Sequence, residues 1–286
     1  MPPSPPLIGF PNLVPLAAAL TGGAWTALQP LDMLRDPRLA RKALSVDGDP
    51  ASTQFTVDLG AARSIHLARL VNHNGALVGR WRLTGSDSPD LSVPAYDSGW
   101  VGLFPDPAYD DAVLEWEDPA WWTALYADAE IPPPMRDSVM VLPAPAVARY
   151  WRVEVETDQP FWLSTLFLSG AWVLPSGFAY GLEIGPESRT EVQQAPGGAE
   201  YFSYLAARDT IRCAIPHMPQ NHALQRMLEL MQRADVFTPL HFVPRPYDTM
   251  NLLRTSMVCR LRSLSPIVAA TYQRYGVTFD LVRILA

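Results

Sequence analysis

The stretch RYWRVEVET, residues Arg149–Thr157, decides the fold class because its apolar and charged residues alternate. Successive side chains of a β-strand point to opposite faces, so this alternation predicts a strand with one buried face and one wet face. Two upstream stretches, FTVDLG at Phe55–Gly60 and GRWRLTGSD at Gly79–Asp87, show the same pattern. The residues predicted to face a core are Phe55, Val57, Leu59, Trp81, Leu83, Trp151, Val153 and Val155.

Composition also favours a folded, mainly β protein. The chain has 286 residues, of which 48% are hydrophobic and 18% charged, so one or two folded domains are expected. Its 29 prolines exceed the roughly 14 expected from a usual share of about 5%, which disfavours long helices. Short strands separated by Gly, Asn, Asp and Pro are typical of an antiparallel sandwich or barrel.

Three regions follow from where these signals lie. Residues 1–40 are predicted to form an extended, proline-punctuated N-terminal arm. Residues 41–174 hold the alternating strands and an aromatic-rich insertion at 96–145. Residues 175–286 are predicted to form a β-sandwich or barrel with one packed helix at 219–234. The apolar stripe predicted for that helix consists of Leu224, Met227, Leu228 and Met231.

Charge and cysteine content argue against several classes of function. The net charge of -7 argues against binding the phosphate backbone of nucleic acids. Cys213 and Cys259 are too few for a disulfide scaffold or a four-cysteine zinc site, so two buried free thiols are expected. The N-terminal stretch lacks a basic region and its apolar run is broken by prolines, so neither a signal peptide nor membrane insertion is expected.

Catalysis is not expected from the motifs. No Gly-x-Ser-x-Gly elbow is present, and the five histidines show no metal-ligand spacing, so neither a metal nor another cofactor is predicted. Asp110–Asp111 and Glu117–Asp118 are paired carboxylates in the insertion. Glycoside hydrolysis needs two carboxyl groups roughly 5–9.5 Å apart across a sugar, and sequence neighbours do not establish that. A solvated acidic loop and a calcium site are the other interpretations of these pairs.

The insertion is also rich in aromatic residues. Between Tyr96 and Tyr126 it contains Trp100, Trp116, Trp121 and Trp122, with eight aromatic residues in total. Indole rings stack on the apolar C–H faces of sugars, so these four tryptophans are candidates for carbohydrate binding. Core packing and a subunit interface are the two other interpretations. If the stretch were extended, Trp121 and Trp122 could not both face inward.

The middle region resembles the discoidin-like domain, also called the coagulation-factor type C domain. The resemblance rests on FTVDLGAARSIHLARLVNHN, GRWRLTGSD, and RYWRVEVET followed by LFLSG, and it covers about residues 45–170. It implies a jelly-roll β-sandwich with a galactose-binding-like site, although the disulfide cysteines of the family are missing. Family ligand loops lie near the turn at Asn72, His73 and Asn74, which makes these residues further candidates for carbohydrate binding. A turn-forming role is the alternative for this turn.

The whole chain resembles tail-tip proteins of siphovirus-like tailed bacteriophages, of the distal-tail or minor-tail type. The stretches that carry this resemblance are LTGGAWTALQPLDML, the discoidin-like middle, and the ending from GGAEYF to YGVTFDLVRI. It implies a non-enzymatic virion protein, made in the host cytoplasm, that forms a homo-oligomeric ring, a hexamer or trimer. Its implied partners are other tail-tube and tail-tip proteins and host-surface glycan. The alternatives are a stand-alone carbohydrate-binding protein and a cell-surface polysaccharide depolymerase.

Overall fold

The computed structural model describes residues 5–110, 112–118, 120–126, 136–175, 177–179 and 181–285. The chain is mainly β and antiparallel, as predicted. Its strands are β1 Leu7–Gly9, β2 Ala19–Thr21, β3 Ala43–Leu44, β4 Phe55–His73, β5 Arg80–Ser86, β6 Tyr96–Asp97, β7 Val101–Gly102, β8 Ser138–Glu156, β9 Trp162–Ser169, β10 Ala171–Val173, β11 Glu183–Glu187, β12 Glu191–Gln194, β13 Glu200–Ser203, β14 Arg208–Pro219, β15 Leu240–Val243, β16 Met257–Leu261, β17 Val268–Thr271 and β18 Arg274–Arg283. Its helices are α1 Pro50–Thr53, α2 at 222–234 and α3 Leu252–Thr255, with 3-10 turns at Val14–Leu16 and Leu31–Arg35.

Two compact units make up the fold. The N-terminal unit comprises Pro6–Val173 and His241–Met257, and the C-terminal unit comprises Leu174–Leu240 and Val258–Leu285. The predicted boundary between residues 174 and 175 lies one residue from the observed division. The sequence pattern did not indicate that 241–257 returns to the N-terminal unit, because that packing depends on long-range contacts.

The N-terminal unit is built on two long bent strands. β4 and β8 each have 19 residues and pair with each other, with register shifts between Asp58 and Arg63 and between Ile65 and Leu67. The first part of β4 also pairs with β2, and its last part pairs with β9. Gly60 lies at the bend with a φ of +74°, which glycine adopts without steric cost. The bend folds one antiparallel sheet into two layers.

The core lies between these layers and contains the residues that alternation predicted. Trp81, Trp151 and Leu83 are at most 1% exposed, and Phe55 is fully buried. Residues from both parts of β4 and from β5, β8 and β9 join this core. Burying such side chains contributes roughly 1.5–3 kcal/mol each relative to exposure. The predicted strand faces are therefore confirmed.

The predicted N-terminal arm differs from the observed structure. From Leu7 onward the segment packs on the N-terminal unit, where β1 pairs with β10 and β15. Val14 and Leu34 are fully buried in the two 3-10 turns. The Asn12 side chain donates to the Leu166 carbonyl and accepts from the Leu168 N–H. These apolar and polar contacts within the chain anchor a segment that proline content alone indicated to be extended.

The C-terminal unit holds a sheet in the order β16-β18-β14-β11, with β17 also paired to β18. Cys213 on β14 and Cys259 on β16 are buried free thiols, as predicted. β12 and β13 form a separate two-stranded hairpin around a turn at Pro196, Gly197 and Gly198. All described helices are too short or too polar to cross a lipid bilayer.

The helix α2 is present, but its predicted buried stripe is partly wrong. Leu224 and Leu228 are 41% and 38% exposed. Residues His222–Met227 form π-helical turns, with i→i+5 hydrogen bonds, and only Leu228–Ala234 is α-helical. The extra residue per π turn shifts the phase of the helix surface. The residues that are buried are Ala223, Met227, Leu230, Met231 and Ala234.

Candidate functional site

At the end of β4, the three residues predicted to bind a ligand, Asn72, His73 and Asn74, form hydrogen bonds to other residues of the protein. Asn72 has a φ of +52°, its backbone N–H donates to Asp137 Oδ1 over 2.7 Å, and its Nδ2 donates to Ser164 Oγ over 2.7 Å. The Asn74 amide donates to the Pro160 carbonyl over 2.8 Å and accepts from the Trp162 N–H over 2.7 Å. These contacts favour the turn-forming role over a ligand role.

His73 is fully buried and is held in one neutral form. Its Nδ1 accepts from the Gly75 N–H over 3.1 Å, so the ring proton lies on Nε2, which donates to Ser138 Oγ over 2.8 Å. Ser138 Oγ donates in turn to the Leu103 carbonyl over 2.6 Å. Burial lowers the pKa of His73 to about 4, so the ring is uncharged near neutral pH. Because the His73 side chain has no exposed surface, it is not accessible to a ligand.

The aromatic insertion is narrower than predicted. Tyr96–Asp97 and Val101–Gly102 pair with β5, and residues 138–145 belong to β8, so the described residues outside the sheet are 103–110, 112–118, 120–126 and 136–137. Turns within these described residues are closed by hydrogen bonds such as those from the Trp121 N–H to the Asp118 carbonyl and from the Ala108 N–H to the Ala124 carbonyl. Asp111, Asp128, Glu130 and the IPPP stretch at 131–134 lie outside the described residues.

One arginine anchors the insertion to the rest of the N-terminal unit. The Arg254 guanidinium carbon lies 4.9 Å from the Tyr109 ring centroid and 5.0 Å from that of Tyr126. Its Nη1 donates to the Ala108 carbonyl over 2.7 Å, and the two tyrosine rings pack edge to face at 5.4 Å. Cation–π contacts of this kind contribute roughly 0.5–2 kcal/mol each. The sequence offered no signal for this contact, because Arg254 lies more than a hundred residues away.

Three tryptophans on this anchored segment face solvent. Trp116 is 71% exposed, Trp122 is 78% exposed and Trp121 is 38% exposed. Leu114, two residues before Trp116, and Ala120, directly before Trp121, are buried. The stretch is a turn, so Trp121 and Trp122 do not alternate across a strand and both reach solvent. We name Trp116, Trp121 and Trp122 the tryptophan cap.

Trp100 lies in a different setting from the tryptophan cap. It is 38% exposed and precedes β7, with the Arg80 guanidinium carbon 5.9 Å from its ring centroid. Arg80 Nη2 also pairs with Glu156 Oε2 at 2.6 Å. Trp100 therefore lies beside an exposed ion pair, and this gives it an aromatic face with a polar donor and acceptor next to it.

The surroundings of the tryptophan cap are acidic. Residues 101–135 contain eight Asp and Glu residues and no Lys or Arg. Asp110 Oδ1 accepts from the Ala112 N–H over 2.9 Å and Asp118 Oδ1 from the Ala120 N–H over 2.8 Å, so both carboxylates close turns. Glu115 and Glu117 are exposed. Within the described ranges no group of three or more His, Cys, Asp or Glu is arranged to hold a metal ion.

Sequence reasoning missed a half-buried cation–π contact and a buried ionic cluster. Lys42 Nζ lies 3.3 Å from the centre of the Trp162 ring, and burial lowers the pKa of Lys42.

Arg69 donates to Asp137 Oδ2 from Nε and Nη2, over 3.0 and 2.7 Å. Arg69 Nη1 also donates to Ser256 Oγ over 2.9 Å, which ties the returning segment 241–257 to β4. The only available signal for this pair was that Arg69 stands between the apolar residues Leu67, Ala68, Leu70 and Val71.

No family model matches the sequence, and no curated protein matches it. Solved structures do match. Chitosan-binding module 1 of a chitosanase/glucanase from Paenibacillus sp. IK-5 is 14% identical, with 56% of this chain and 100% of that chain covered and a TM-score of 0.36. A fucose-binding module from Streptococcus pneumoniae is 12% identical, with 55% and 95% covered and a TM-score of 0.35. The family 32 carbohydrate-binding module of NanJ from C. perfringens, solved with galactose, is 10% identical, with 57% and 99% covered and a TM-score of 0.37. TM-scores below 0.5 carry no conclusion about the ligand or activity of this chain.

Proposed function

We propose that this protein binds glycans through the tryptophan cap. The observation that carries the proposal is that three indoles of one anchored segment are 38–78% exposed while Leu114 and Ala120 beside them are buried. Tryptophan is highly buried on average in folded proteins, so an exposed group of indoles indicates a binding surface. Arg254 anchors the segment that carries these rings through Ala108, Tyr109 and Tyr126, and ordering this backbone before a ligand arrives reduces the entropy lost on binding.

The chemistry of the cap favours neutral or cationic sugars. An indole face packs against the C–H face of a pyranose ring, and the exposed carboxylates of Glu115 and Glu117 can accept hydrogen bonds from hydroxyl or ammonium groups. Since residues 101–135 contain no basic residue, an anionic polysaccharide would meet repulsion without a compensating donor. Neutral oligosaccharides and amino sugars are therefore the expected ligands.

Calorimetric titration of the full chain tests this proposal. The probes are chitotriose, galactose, fucose and a uronic-acid oligosaccharide of similar length. The double variant Trp116→Ala/Trp122→Ala should weaken binding of the neutral or amino sugar by about tenfold, since aromatic contacts contribute about 0.5–1.5 kcal/mol each. Phe237→Ala is the matched control because Phe237 is also exposed, at 73%, and lies in the C-terminal unit. Equal affinity of the double variant and the control would overturn the assignment.

A structural role in a phage tail tip is the second candidate. The observation in its favour is that the C-terminal unit exposes several large aromatic side chains, among them Tyr204 at 81% and Phe237 at 73%. Such surfaces mark sites of protein association. The solved structures described above carry no mention of a phage particle. Detection of the chain at the tail tip of purified virions by immunogold labelling is the test, and its absence from purified particles would remove this candidate.

A further inference from the structure

The hairpin of β12 and β13 exposes every one of its strand residues. Val192 pairs directly with Phe202 across the strands, and these side chains are 56% and 65% exposed. Tyr204, two residues beyond Phe202, is 81% exposed. Because directly paired residues of an antiparallel hairpin project to the same side, Val192 and Phe202 share one face of the hairpin.

Such a hairpin is unusual for an isolated chain. Among the strands that the structure describes, β12 and β13 pair only with each other, so both outer edges are open. A two-stranded hairpin is at best marginally stable in water unless another surface covers it. Open strand edges with exposed aromatic residues are sites where another chain attaches. The hairpin therefore needs a partner surface.

The same C-terminal unit carries an apolar groove of about 390 Å³. It lies over β14, β17 and β18, and Ile215 and Val277 are part of its lining. Its volume lies within the range of about 300–1,000 Å³ that is usual for binding pockets. The lining residues include Ala214, Ser265, Pro266, Val268, Gly276 and Thr278.

The hairpin and the groove carry opposite charges. Residues 190–207 contain Glu191 and Glu200 and no Lys or Arg. Beside the groove, Arg208 and Arg262 pair with Glu187 and Arg283 pairs with Asp209, so the exposed Arg212 and Arg274 carry the positive charge there. Arg212 and Arg274 lie two positions from Ala214 and Gly276 on the same strands, and hence on the same strand faces. This complementarity is notable because the chain as a whole is acidic, with a net charge of -7.

We propose that the hairpin face of Val192 and Phe202 docks into the groove of a second copy of this chain. The contact joins two different surfaces, so it is head-to-tail and generates either a closed ring or an open filament. It goes beyond the tail-tip candidate, because it concerns the purified chain and names the contact. It is also independent of glycan binding, which uses the N-terminal unit.

Sedimentation velocity of the purified full chain over a wide range of concentration tests the contact. The wild type should form species larger than a dimer, and high salt should weaken them because the attraction is partly ionic. Phe202→Ser should abolish assembly because it removes the aromatic ring that enters the groove. Ala214→Glu should abolish it by placing a carboxylate in the groove. Val113→Ser, which changes a 73% exposed residue of the N-terminal unit, should assemble like the wild type.

Mixing the two defective variants gives the sharpest result. Phe202→Ser keeps an intact groove and Ala214→Glu keeps an intact hairpin, so an equal mixture should form a dimer and nothing larger. Both positions are exposed, so thermal melting of each variant should match that of Val113→Ser, which separates lost assembly from lost folding. A monomeric wild type, assembly of Phe202→Ser at wild-type strength, or a mixture that stays monomeric would each overturn the proposal. If the protein were absent from purified virions, the tail-tip candidate would fail, but the assembly of the purified chain would still stand.

Discussion

Burial of the His73 imidazole links one side chain to the pH dependence of stability. Its folded pKa of about 4 lies below the ordinary histidine pKa of 6.5, so the unfolded chain binds more protons between these values. The resulting stabilisation is fully present above about pH 6.5 and is lost as the pH falls through about 4. Its size is on the order of 3 kcal/mol.

His73→Gln removes the titration while keeping a side chain that forms hydrogen bonds. We expect the difference in free energy of unfolding between wild type and variant to shrink as the pH falls from 6.5 to 4, measured by urea unfolding. The comparison cancels the carboxylates that titrate in the same range. A difference that stays constant over this pH range would contradict the buried neutral imidazole.

The Arg69–Asp137 pair is the clearest case of a buried charge. The side chains are 0% and 6% exposed. Asp137→Asn leaves the guanidinium without its counter-charge, so we expect the free energy of unfolding to fall by about 3–5 kcal/mol. Glu229→Gln, in an exposed i,i+4 pair with Arg233, should change it by less than about 0.5 kcal/mol. Similar losses from both variants would show that Arg69 is not dependent on Asp137.

At the scale of elements, mutations can test directly which face of α2 is buried. Met227 is fully buried and Leu224 is 41% exposed, although helical periodicity predicts one stripe for both. Met227→Ala should cost about 2–5 kcal/mol of unfolding free energy. Leu224→Ala should cost less than about 0.5 kcal/mol. Urea unfolding of the two variants measures this, and equal costs would contradict the different burial of Met227 and Leu224.

The same elements show how far sequence reasoning reaches. Alternation predicted the buried faces of β4, β5 and β8 because a period of two is local and each face has a uniform environment. The π turns of α2 have no such local signal. The roles of Asn72 and Asn74 depend on Ser164 and Pro160, about ninety residues away, so the turn looked available to a ligand. Tryptophan content located the insertion, whereas the exposure of each indole depended on turns that propensity does not specify.

At the scale of the whole molecule, assembly and glycan binding should combine. Head-to-tail copies would present several tryptophan caps at once, and linked sites gain avidity without new contacts. Phe202→Ser should therefore bind a soluble oligosaccharide with wild-type affinity. Its retention on a densely glycan-coated surface should fall by on the order of 10²-fold, measured by surface plasmon resonance. Equal retention would show that the copies do not engage the surface together.

The contact between Lys42 and Trp162 has a practical consequence for labelling chemistry. Lys42 is the single lysine of the chain, and its lowered pKa leaves more of the amine in the nucleophilic, uncharged form. An amine-reactive dye would then attach at one side-chain position, directly against an indole whose fluorescence it can quench. Proteomic workflows that depend on lysine, such as Lys-C digestion or lysine crosslinking, would in contrast find almost nothing to act on.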